Sequence, residues 1–332
     1  MTLFFIFFFV IINFVLFKNI EKICIKFNLI DRPDNINKIH KNNIPLGGGI
    51  ILIINILFYN IFNFYLPNFE TLTFLTNEKV SFFIGSFLIF LIGIYDDKFI
   101  LKANTKLILL ILALLSILFI YEDNNLVSLK FSFTNYQIDF VEYKLIFTLI
   151  CYLCFLNAFN MFDGINFQVS SYSIFIVLFL IFQQFSYFFC LLLIFLTFFS
   201  YHNLKNKIFM GDNGSLLLSF ILGFILIKFY NQKIIIYADQ IFLLMSLPGL
   251  DLIRLFFIRI LNRKNPFVGD LNHFHHILLK SFPINKYYFI MIFLIVIPNL
   301  FFVFSKNFIL SFVMLVVPYI LIINFSKRKK NN

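Results

Sequence analysis

Four short polar clusters interrupt a chain that is otherwise apolar along almost its whole length. They are residues 95–98 (YDDK), 157–166 (NAFNMFDGIN), 211–215 (GDNGS) and 270–276 (DLNHFHH). Aspartate, asparagine and histidine are costly near the centre of a bilayer, so they are rare there unless they have a function. Carboxylates beside glycine-rich turns suit a metal ion and a phosphate group. The clusters therefore indicate phosphate chemistry assisted by a metal.

The composition indicates a membrane protein. Hydrophobic residues make up 61% of the chain and charged residues 13%, and the mean hydropathy is +0.92. Too few polar groups remain to cover a water-soluble protein of 332 residues. Because no polar stretch is long enough to fold alone, we predict a single domain over residues 1–332, an all-α polytopic membrane protein with its active-site loops in the cytoplasm.

Eleven apolar segments have about the length that a membrane-spanning helix needs, and they predict a bundle of about 11 helices. The predicted spans are 2–20, 47–66, 80–95, 106–121, 143–158, 168–183, 186–201, 214–230, 239–259, 287–304 and 308–325. An odd number of spans places the two termini on opposite sides of the membrane.

Lysine and arginine set the orientation of this bundle. The segment 327–330 (KRKK) is predicted to be cytoplasmic by the positive-inside rule, which places the N-terminus outside. The inner loops then hold 21 of the 27 lysines and arginines. Orientation and contact with anionic lipids explain the net charge of +11, so no nucleic-acid partner is expected. The same orientation brings the acids of the four clusters to the cytoplasmic side.

The adjacent carboxylates Asp96 and Asp97 end the third predicted span. They repel each other unless a cation or a proton intervenes, so they indicate either a divalent metal or an acid with a raised pKa that acts as a base. A solvated helix cap is the alternative. A metal site of the DDxxD type needs a third acid at position 100, where this chain has Ile100. This departure moves the predicted metal site to Asp212.

Two glycine-rich segments could accommodate phosphate groups. The segment 211–215 precedes the eighth predicted span, and its Asp212 can bind a Mg²⁺ ion that keeps several waters and takes its other ligands from phosphates. An aspartate that caps the helix is the alternative. The loop 31–49 combines proline and glycine with Lys38 ahead of a helix N-terminus, which suits a phosphate. An ordinary basic loop at an anionic membrane surface has the same composition.

The segment 157–166 contains three polar residues at helical spacing. Asn157, Asn160 and Asp163 fall on roughly one face of a helix, and Gly164 ends the turn. These groups predict a hydrogen-bonding wall for a polar ligand. Polar contacts between neighbouring helices are the alternative.

Histidines and arginines lie near the last cytoplasmic loop. His273, His275 and His276 are expected to contact phosphate or ribose rather than zinc, because no cysteine or glutamate lies near them in sequence. Arg254 and Arg259 mark the inner end of the preceding span, where an arginine could clamp a phosphate.

Taken in order, these motifs resemble those of the polyprenyl-phosphate N-acetylhexosamine-1-phosphate transferases (glycosyltransferase family 4). This family starts O-antigen, enterobacterial common antigen, teichoic acid linkage units and peptidoglycan lipid intermediates. The matching segments are DRPDNINKIHKNNIPLGGG (31–49), GIYDDK (93–98) with Lys106, NAFNMFDGIN (157–166), KIFMGDNGS (207–215) and DLNHFHH (270–276). The set is closer to the branch that takes simple UDP-N-acetylhexosamines than to the branch that takes UDP-MurNAc-pentapeptide.

The resemblance implies an enzyme, a phosphotransferase of cell-surface glycan biosynthesis. The implied reaction moves a sugar 1-phosphate, expected to be N-acetylglucosamine 1-phosphate or a related N-acetylhexosamine, from a UDP-sugar to undecaprenyl phosphate and releases UMP. The resemblance also implies Mg²⁺ or Mn²⁺ as cofactor, a location in the bacterial inner membrane and a homodimer.

The resemblance further implies the roles of individual residues. Asp96, Asp97 and Asp163 are expected to be catalytic, the first two by deprotonating or orienting the lipid phosphate, and Asp212 and Asp163 are the expected metal ligands. The expected substrate contacts are Lys38, His40, Lys106, Asn157, Asn160, Asn166, Arg259, His273, His275 and His276. Asn166 and Phe167 stand where the family often has Asp-Gly, so this chain lacks a charge there.

Two other functions are alternatives. One is an enzyme like the phospho-MurNAc-pentapeptide transferase of peptidoglycan synthesis. The other is a membrane transporter, which would place its polar groups near mid-span and on both sides of the membrane. For the transferase we expect a direct in-line attack rather than a covalent aspartyl intermediate, because phosphoryl transfer needs positioning and charge neutralisation more than covalent catalysis.

Overall fold

The computed structural model describes residues 2–33, 42–65, 74–134, 136–263 and 272–331, and most of these residues are helical. The helices in chain order are α1 (Thr2–Phe27), α2 (Gly48–Tyr65), α3 (Thr76–Phe99), α4 (Ala103–Ile120), α5 (Lys144–Phe162), α6 (Gln168–Gln183), α7 (Tyr187–Leu204), α8 (Gly211–Asn231), α9 (Ala238–Leu261), α10 (Phe274–Ser281), α11 (Ile284–Ser305) and α12 (Phe308–Asn331).

Two short antiparallel strand pairs complete the regular structure of the described residues. β1 (Ile30–Asp31) pairs with β2 (Ile44–Pro45). β3 (Ser128–Lys130) pairs with β4 (Gln137–Asp139).

The prediction of an all-α membrane protein is confirmed. Within the described ranges, ten helices are long and apolar enough to cross a membrane, and all ten correspond to predicted spans. The remaining predicted span, 168–183, is the shorter apolar helix α6. Its 16 residues extend about 24 Å at the helical rise of about 1.5 Å per residue, which is less than a hydrocarbon core of about 30 Å. The chain is a multi-pass membrane protein.

The chain divides into two compact units. Unit 1 consists of Met1–Glu122 and Val169–Phe224, and unit 2 consists of Asp123–Gln168 and Ile225–Asn332. The prediction of a single domain stays a prediction.

Unit 1 is built from the helices that precede residue 122 together with α6 from Val169, α7 and the first part of α8. α3 packs on α4, α1 packs on α2 and α7, and α2 also packs on α7 and α3. Buried amides join α1 to α2, where Asn13 and Asn55 exchange two hydrogen bonds of 2.8 and 3.1 Å. Because lipid offers no partner to a polar group, such paired amides hold the two helices in register.

Unit 2 is built around α9. This helix packs on α5, α11, α12 and β3, and the short helix α10 packs on α11 and α12. Asp239 at the start of α9 is buried and accepts hydrogen bonds from the backbone N–H (3.1 Å) and the hydroxyl of Ser132 beside the β3–β4 hairpin. These bonds tie the hairpin to the first turn of α9.

Three site segments lie within helices that are longer than predicted. α3 continues to Phe99 instead of ending at 95, and α5 continues to Phe162 instead of ending at 158. α8 begins at Gly211, three residues before the predicted start at 214. Asp212 therefore lies in the first turn of a helix and not in a loop.

The end of α3 has a local cause. Ile100 adopts a φ of 51°, a left-handed conformation that is rare for a β-branched residue. Its N–H still donates to the carbonyl of Asp96 at 2.8 Å, but its left-handed conformation prevents the helix from continuing. The next residue, Leu101, then donates its N–H to Oδ1 of Asp96 at 2.7 Å.

Candidate active site

A lysine lies between two carboxylates in unit 1. Lys106, in the first turn of α4, places Nζ 2.7 Å from Oδ2 of Asp96 and 2.8 Å from Oδ2 of Asp212. Asp96 is 8% exposed and Lys106 14%, whereas Asp212 is 33% exposed. We call Asp96, Asp97, Lys106, Asp212 and Asn213 the carboxylate cluster. One ammonium group contacts two carboxylates there and offsets the charge of only one of them, and the more accessible acid is Asp212.

Asp97 points to the N-terminus of α8. Its Oδ1 accepts the backbone N–H of Asp212 at 2.8 Å, and its Oδ2 accepts the backbone N–H of Asn213 at 3.0 Å. The side-chain amide of Asn213 also donates to Oδ2. The first N–H groups of a helix have no partner within that helix, so a carboxylate from α3 supplies the cap of α8. The sequence left a helix cap as the alternative role for Asp97, but it did not indicate that the capped helix is α8 and not α3.

Glycines allow α2 and α3 to approach α8 closely around Asn213. A Cβ on Gly93 of α3 would overlap the backbone of Asn213, and one on Gly49 of α2 would overlap the Asn213 side chain. Gly211 has a φ of 72°, which favours glycine. The Asn213 amide also donates to the carbonyl of Leu46 at 3.1 Å. Asn213 is fully buried, and sequence reasoning gave it no role of its own.

The carboxylate cluster offers a suitable donor set for Mg²⁺. Mg²⁺ prefers oxygen ligands and is bound by one or two carboxylates together with waters and substrate phosphates. Asp212 is accessible, and Asp96 shares a lysine with it, so two carboxylates face one small region. In the described parts of the chain, no group of three or more His, Cys, Asp or Glu residues could hold a metal by itself. The arrangement fits an ion that takes most of its ligands from phosphate and water.

A second polar group lies in unit 2 and is centred on Asp251 of α9. Arg254 donates to Oδ1 of Asp251 from Nη2 at 2.6 Å and from Nε at 3.2 Å. His273 donates from Nδ1 to Oδ2 at 3.1 Å, and the N–H of Phe274 lies 3.1 Å from Oδ1. The hydroxyl of Tyr319 donates to Oδ1 at 3.2 Å. We call Asp251, Arg254, His273, His275 and His276 the histidine cluster.

The three histidines of this cluster lie against one another. The rings of His273 and His275 are stacked, with centroids 5.3 Å apart and planes 9° apart, and the His275 and His276 centroids are 4.3 Å apart. Burial first, and then the neighbouring His276 and His273, lower the pKa of His275 to about 3. Its imidazole is therefore neutral near pH 7, and its buried Nδ1 has no hydrogen-bond partner among the described residues.

The segment that follows α5 reaches the histidine cluster. Gly164 lies so close to the ring of His275 that a Cβ at this position would overlap Nε2. The hydroxyl of Tyr288 donates to the carbonyl of Asn166 at 3.1 Å, and that of Tyr287 donates to Oε1 of Gln168 at 2.9 Å. Two tyrosines at the start of α11 thus hold this segment, although nothing in their sequence pattern indicates a role at a site.

The other predicted residues of unit 2 lie on α5 and α9. Asn157 turns its amide back to the carbonyl of Leu153 at 2.7 Å. Asp163 caps the C-terminus of α5, with its N–H 3.2 Å from the carbonyl of Asn160. Arg259 is buried, with 4% of its surface exposed. Within unit 2, Gly164 packs against the ring of His275, and this contact brings the segment that contains Asn166 close to the histidines.

Two predicted substrate contacts, Lys38 and His40, lie outside the described residues. Asp96, Asp97, Lys106 and Asp212 form one cluster, as their predicted shared role in phosphate chemistry requires. Tyr319 contacts Asp251 of the histidine cluster, and Leu46 contacts Asn213 of the carboxylate cluster. No spacing in the sequence indicates either contact.

Comparison with known proteins identifies relatives along most of the chain. The family model for glycosyl transferase family 4 matches residues 79–230. The undecaprenyl-phosphate alpha-N-acetylglucosaminyl 1-phosphate transferase of Escherichia coli (strain K12) is 28% identical over 287 residues, which cover 82% of this chain and 75% of the relative. The protein of the same name from Thermotoga maritima is 26% identical over 272 residues, covering 82% and 80%. The probable undecaprenyl-phosphate N-acetylglucosaminyl 1-phosphate transferase of Bacillus subtilis is 24% identical over 269 residues, covering 78% and 72%.

The helical membrane fold and these relatives define the class of protein as an integral membrane transferase. The chain resembles the polyprenyl-phosphate N-acetylhexosamine-1-phosphate transferases, and the family model and these relatives support the resemblance that its five motifs predicted. It is an enzyme, and the alternative of a transporter finds no support among these matches. The roles of individual residues stay predictions.

Proposed function

We propose that this enzyme transfers N-acetylglucosamine 1-phosphate from UDP-N-acetylglucosamine to undecaprenyl phosphate and releases UMP. The observation that carries the proposal is Lys106 held between the carboxylates of Asp96 and Asp212. Such a group of charges suits two phosphate substrates and a cation. The names of the relatives from E. coli, T. maritima and B. subtilis support undecaprenyl phosphate as the acceptor and N-acetylglucosamine 1-phosphate as the transferred group.

The proposed step is a direct displacement at phosphorus. An oxygen of undecaprenyl phosphate attacks the β-phosphorus of the UDP-sugar, where a new P–O bond forms. The bond from the β-phosphorus to the bridging oxygen breaks, and UMP leaves with that oxygen. Asp96 accepts the proton when the acceptor phosphate arrives as a monoanion, and Lys106 neutralises phosphate charge during the displacement. Positioning and charge neutralisation are the main requirements of such a transfer.

We propose Mg²⁺, or Mn²⁺ in its place, as the cofactor, with Asp212 as its main protein ligand. When bound, the ion would neutralise charge on the diphosphate and polarise its phosphoryl oxygens. Asp212 lies on the first turn of α8 and is the most exposed acid of the Asp96–Lys106–Asp212 group. Asp163 remains a predicted catalytic residue and metal ligand.

The residues of unit 2 are proposed to contact the nucleotide and the sugar. A neutral His275 with an unpartnered Nδ1 suits a hydrogen bond to an uncharged sugar or base. Asn157, Asn160 and Asn166 remain predicted substrate contacts, as do Arg259, His273 and His276. Lys38 and His40 keep the predicted contact with phosphate and nucleotide.

The proposed location is the bacterial inner membrane, with the active site facing the cytoplasm, where UDP-sugars are made. The N-terminus is proposed to lie outside and the C-terminus inside, in agreement with the bias of lysine and arginine toward the inner loops. A homodimer is proposed from the resemblance to the family.

A transfer assay tests the function. Purified protein is incubated with radiolabelled UDP-N-acetylglucosamine, undecaprenyl phosphate and Mg²⁺, and both lipid-linked label and UMP are measured. The expected result is equal amounts of the two products. If no UMP is released with any UDP-sugar, the proposed activity is wrong.

The same assay with a panel of donors decides the branch. UDP-N-acetylglucosamine is compared with UDP-N-acetylgalactosamine and UDP-MurNAc-pentapeptide at equal concentrations. Turnover with the pentapeptide donor and not with the simple sugars would favour the phospho-MurNAc-pentapeptide-transferase alternative.

A further inference from the structure

We propose that Asp97 is a positioning residue, which fixes Asp212 by capping the first turn of α8, and that Asp96 alone of the pair meets the acceptor phosphate. This inference deepens the proposed function and rests on it for the catalytic meaning of Asp212. Adjacency in sequence suggested one shared role for the two acids, but the structure separates their surroundings.

The two carboxylates leave α3 in different directions. Consecutive residues of an α-helix do not share a face, because each is rotated by about 100° from the last. Asp96 turns toward α4, where it contacts Leu101 and Lys106. Asp97 turns toward α8.

The contacts of Asp97 are those of a cap. Both its oxygens are engaged by three donors, two of them backbone N–H groups of the first turn of α8. A carboxylate at this end of a helix is favoured by the helix dipole as well as by the hydrogen bonds. One of the two N–H groups belongs to Asp212 itself, so the bond that Asp97 accepts directly restrains the backbone of the predicted metal ligand.

The surroundings of Asn213 reinforce this restraint. Its side chain reaches both Asp97 and the carbonyl of Leu46. Gly49 and Gly93 pack so closely against Asn213 that a Cβ on either glycine would overlap it. α2, α3 and the start of α8 therefore meet in one tightly packed junction within unit 1, and Asp212 lies next to it.

Asp96 has the contacts expected of an acid that meets a substrate. Its Oδ2 faces Lys106, which it shares with the accessible Asp212, and a phosphate could compete for that lysine. Protonation of Asp97 would remove the negative charge that strengthens the cap of α8.

Hydrogen–deuterium exchange without metal or substrate tests the positioning role. Peptides that cover residues 205–216 are compared in the wild type and in the variants Asp97→Asn and Asp97→Ala. Removing an acceptor of charge-assisted hydrogen bonds should speed exchange in this segment by about tenfold or more, more in the alanine variant than in the asparagine variant, which keeps one acceptor oxygen. Asp212→Asn should leave exchange in the same peptides unchanged, because its backbone N–H keeps its partner.

Metal binding provides a second measurement. Electron paramagnetic resonance of Mn²⁺ in the absence of substrate should show binding weakened about ten- to hundredfold in Asp97→Ala, the usual effect of losing a group that orients a ligand. Ser186→Ala is the matched control, because Ser186 caps α7 by accepting the N–H of Phe188 at 3.2 Å and the carboxylate cluster lies on α3, α4 and α8. It should leave Mn²⁺ affinity unchanged.

Turnover separates positioning from proton transfer. If Asp97 positions Asp212, then Asp97→Asn should retain about tenfold more activity than Asp97→Ala at saturating Mg²⁺, because only the alanine variant loses every acceptor atom. A general base would lose about 10²- to 10⁴-fold in both variants alike.

The inference is overturned if exchange in 205–216 and Mn²⁺ affinity both equal those of the wild type in Asp97→Ala. If Asp97→Ala does not fold, Asp97→Asn alone decides by the same two measurements. Neither measurement needs a sugar donor. A wild-type protein without transfer activity would therefore contradict the proposed function and leave these measurements to judge the positioning role.

Discussion

Asp96 and Asp251 are both buried acids that lie beside basic side chains, but their surroundings differ. Asp96 has one backbone N–H and one lysine as partners, and that lysine is shared with a second, more accessible acid. Asp251 accepts hydrogen bonds from an arginine, a histidine, a tyrosine and a backbone N–H. The carboxylate cluster is thus under-neutralised, whereas the carboxylate at the centre of the histidine cluster is saturated.

This difference assigns a chemical role to the carboxylate cluster and a structural role to Asp251. A phosphate or a cation can enter the carboxylate cluster, since one lysine serves two acids there. Around Asp251 each donor already holds the chain in place, because the carboxylate ties α9 to His273, to the start of α10 and to α12. The charge of Asp251 therefore stabilises the position of His273 and the start of α10.

The largest expected effect is on turnover. Asp212→Asn removes the predicted metal ligand, and loss of the charge stabilisation by a metal should lower turnover by about a thousandfold. Expression and the unfolding temperature should stay near those of the wild type, because the side chain is partly exposed. Near-normal rates at saturating Mg²⁺ would remove Asp212 from the metal site.

The next effect is on stability. Asp251→Asn leaves the Arg254 guanidinium without its charge partner, and breaking a buried ion pair costs about 3 kcal/mol. Thermal unfolding in detergent measures the loss. Asp139→Asn, at an exposed acid of β4, is the control and should change little. If Asp251→Asn unfolded like the wild type while its turnover collapsed, the assignment of Asp251 to scaffolding would be wrong.

Lys106→Gln tests the under-neutralised cluster in a different way. Without the ammonium group, Asp96 and Asp212 repel each other, so Mn²⁺ should bind more tightly in the absence of substrate. Turnover should fall about a hundredfold, because a charge-assisted contact to phosphate is lost. Weaker Mn²⁺ binding in this variant would show that Lys106 organises the carboxylates instead of competing with the cation.

The smallest expected effect concerns His275 and pH. A pKa of about 3 in the folded chain, against about 6.5 when unfolded, means that the unfolded state binds the additional proton between these values. The contribution of the neutral His275 to the free energy of unfolding is therefore fully present above pH 6.5 and is lost as the pH falls toward 3. Between pH 6.5 and 5 the loss should be about 2 kcal/mol.

His275→Gln isolates that contribution, because glutamine does not titrate. The difference in unfolding free energy between the wild type and this variant should shrink on acidification. A difference that is constant from pH 7 to pH 5 would show that His275 is not held neutral by its burial and by the neighbouring His273 and His276.

Much of the carboxylate cluster could be predicted because its residues belong to short motifs with distinctive chemistry. Asp96 and Asp212 lie in two of the four polar segments of an apolar chain, and Lys106 was predicted from the resemblance to the family. The different direction of Asp97 could not be predicted, because it depends on which helix packs against the end of α3. The roles of Asn213, Tyr319 and Tyr288 were also hidden, since a buried polar residue inside a helix gives no periodic signal.

The sequence by itself determined the class of protein, the approximate positions of ten membrane spans and the resemblance to the family, because hydrophobicity and motif order are local properties of the chain. It also predicted which acids, lysines and histidines take part in phosphate chemistry. Only the tertiary structure decided how they are paired. Which carboxylate caps α8, which one shares Lys106 and which one anchors His273 depend on contacts between residues far apart in the chain. The packing of helices creates those contacts, with glycines such as Gly93 setting how closely the helices approach.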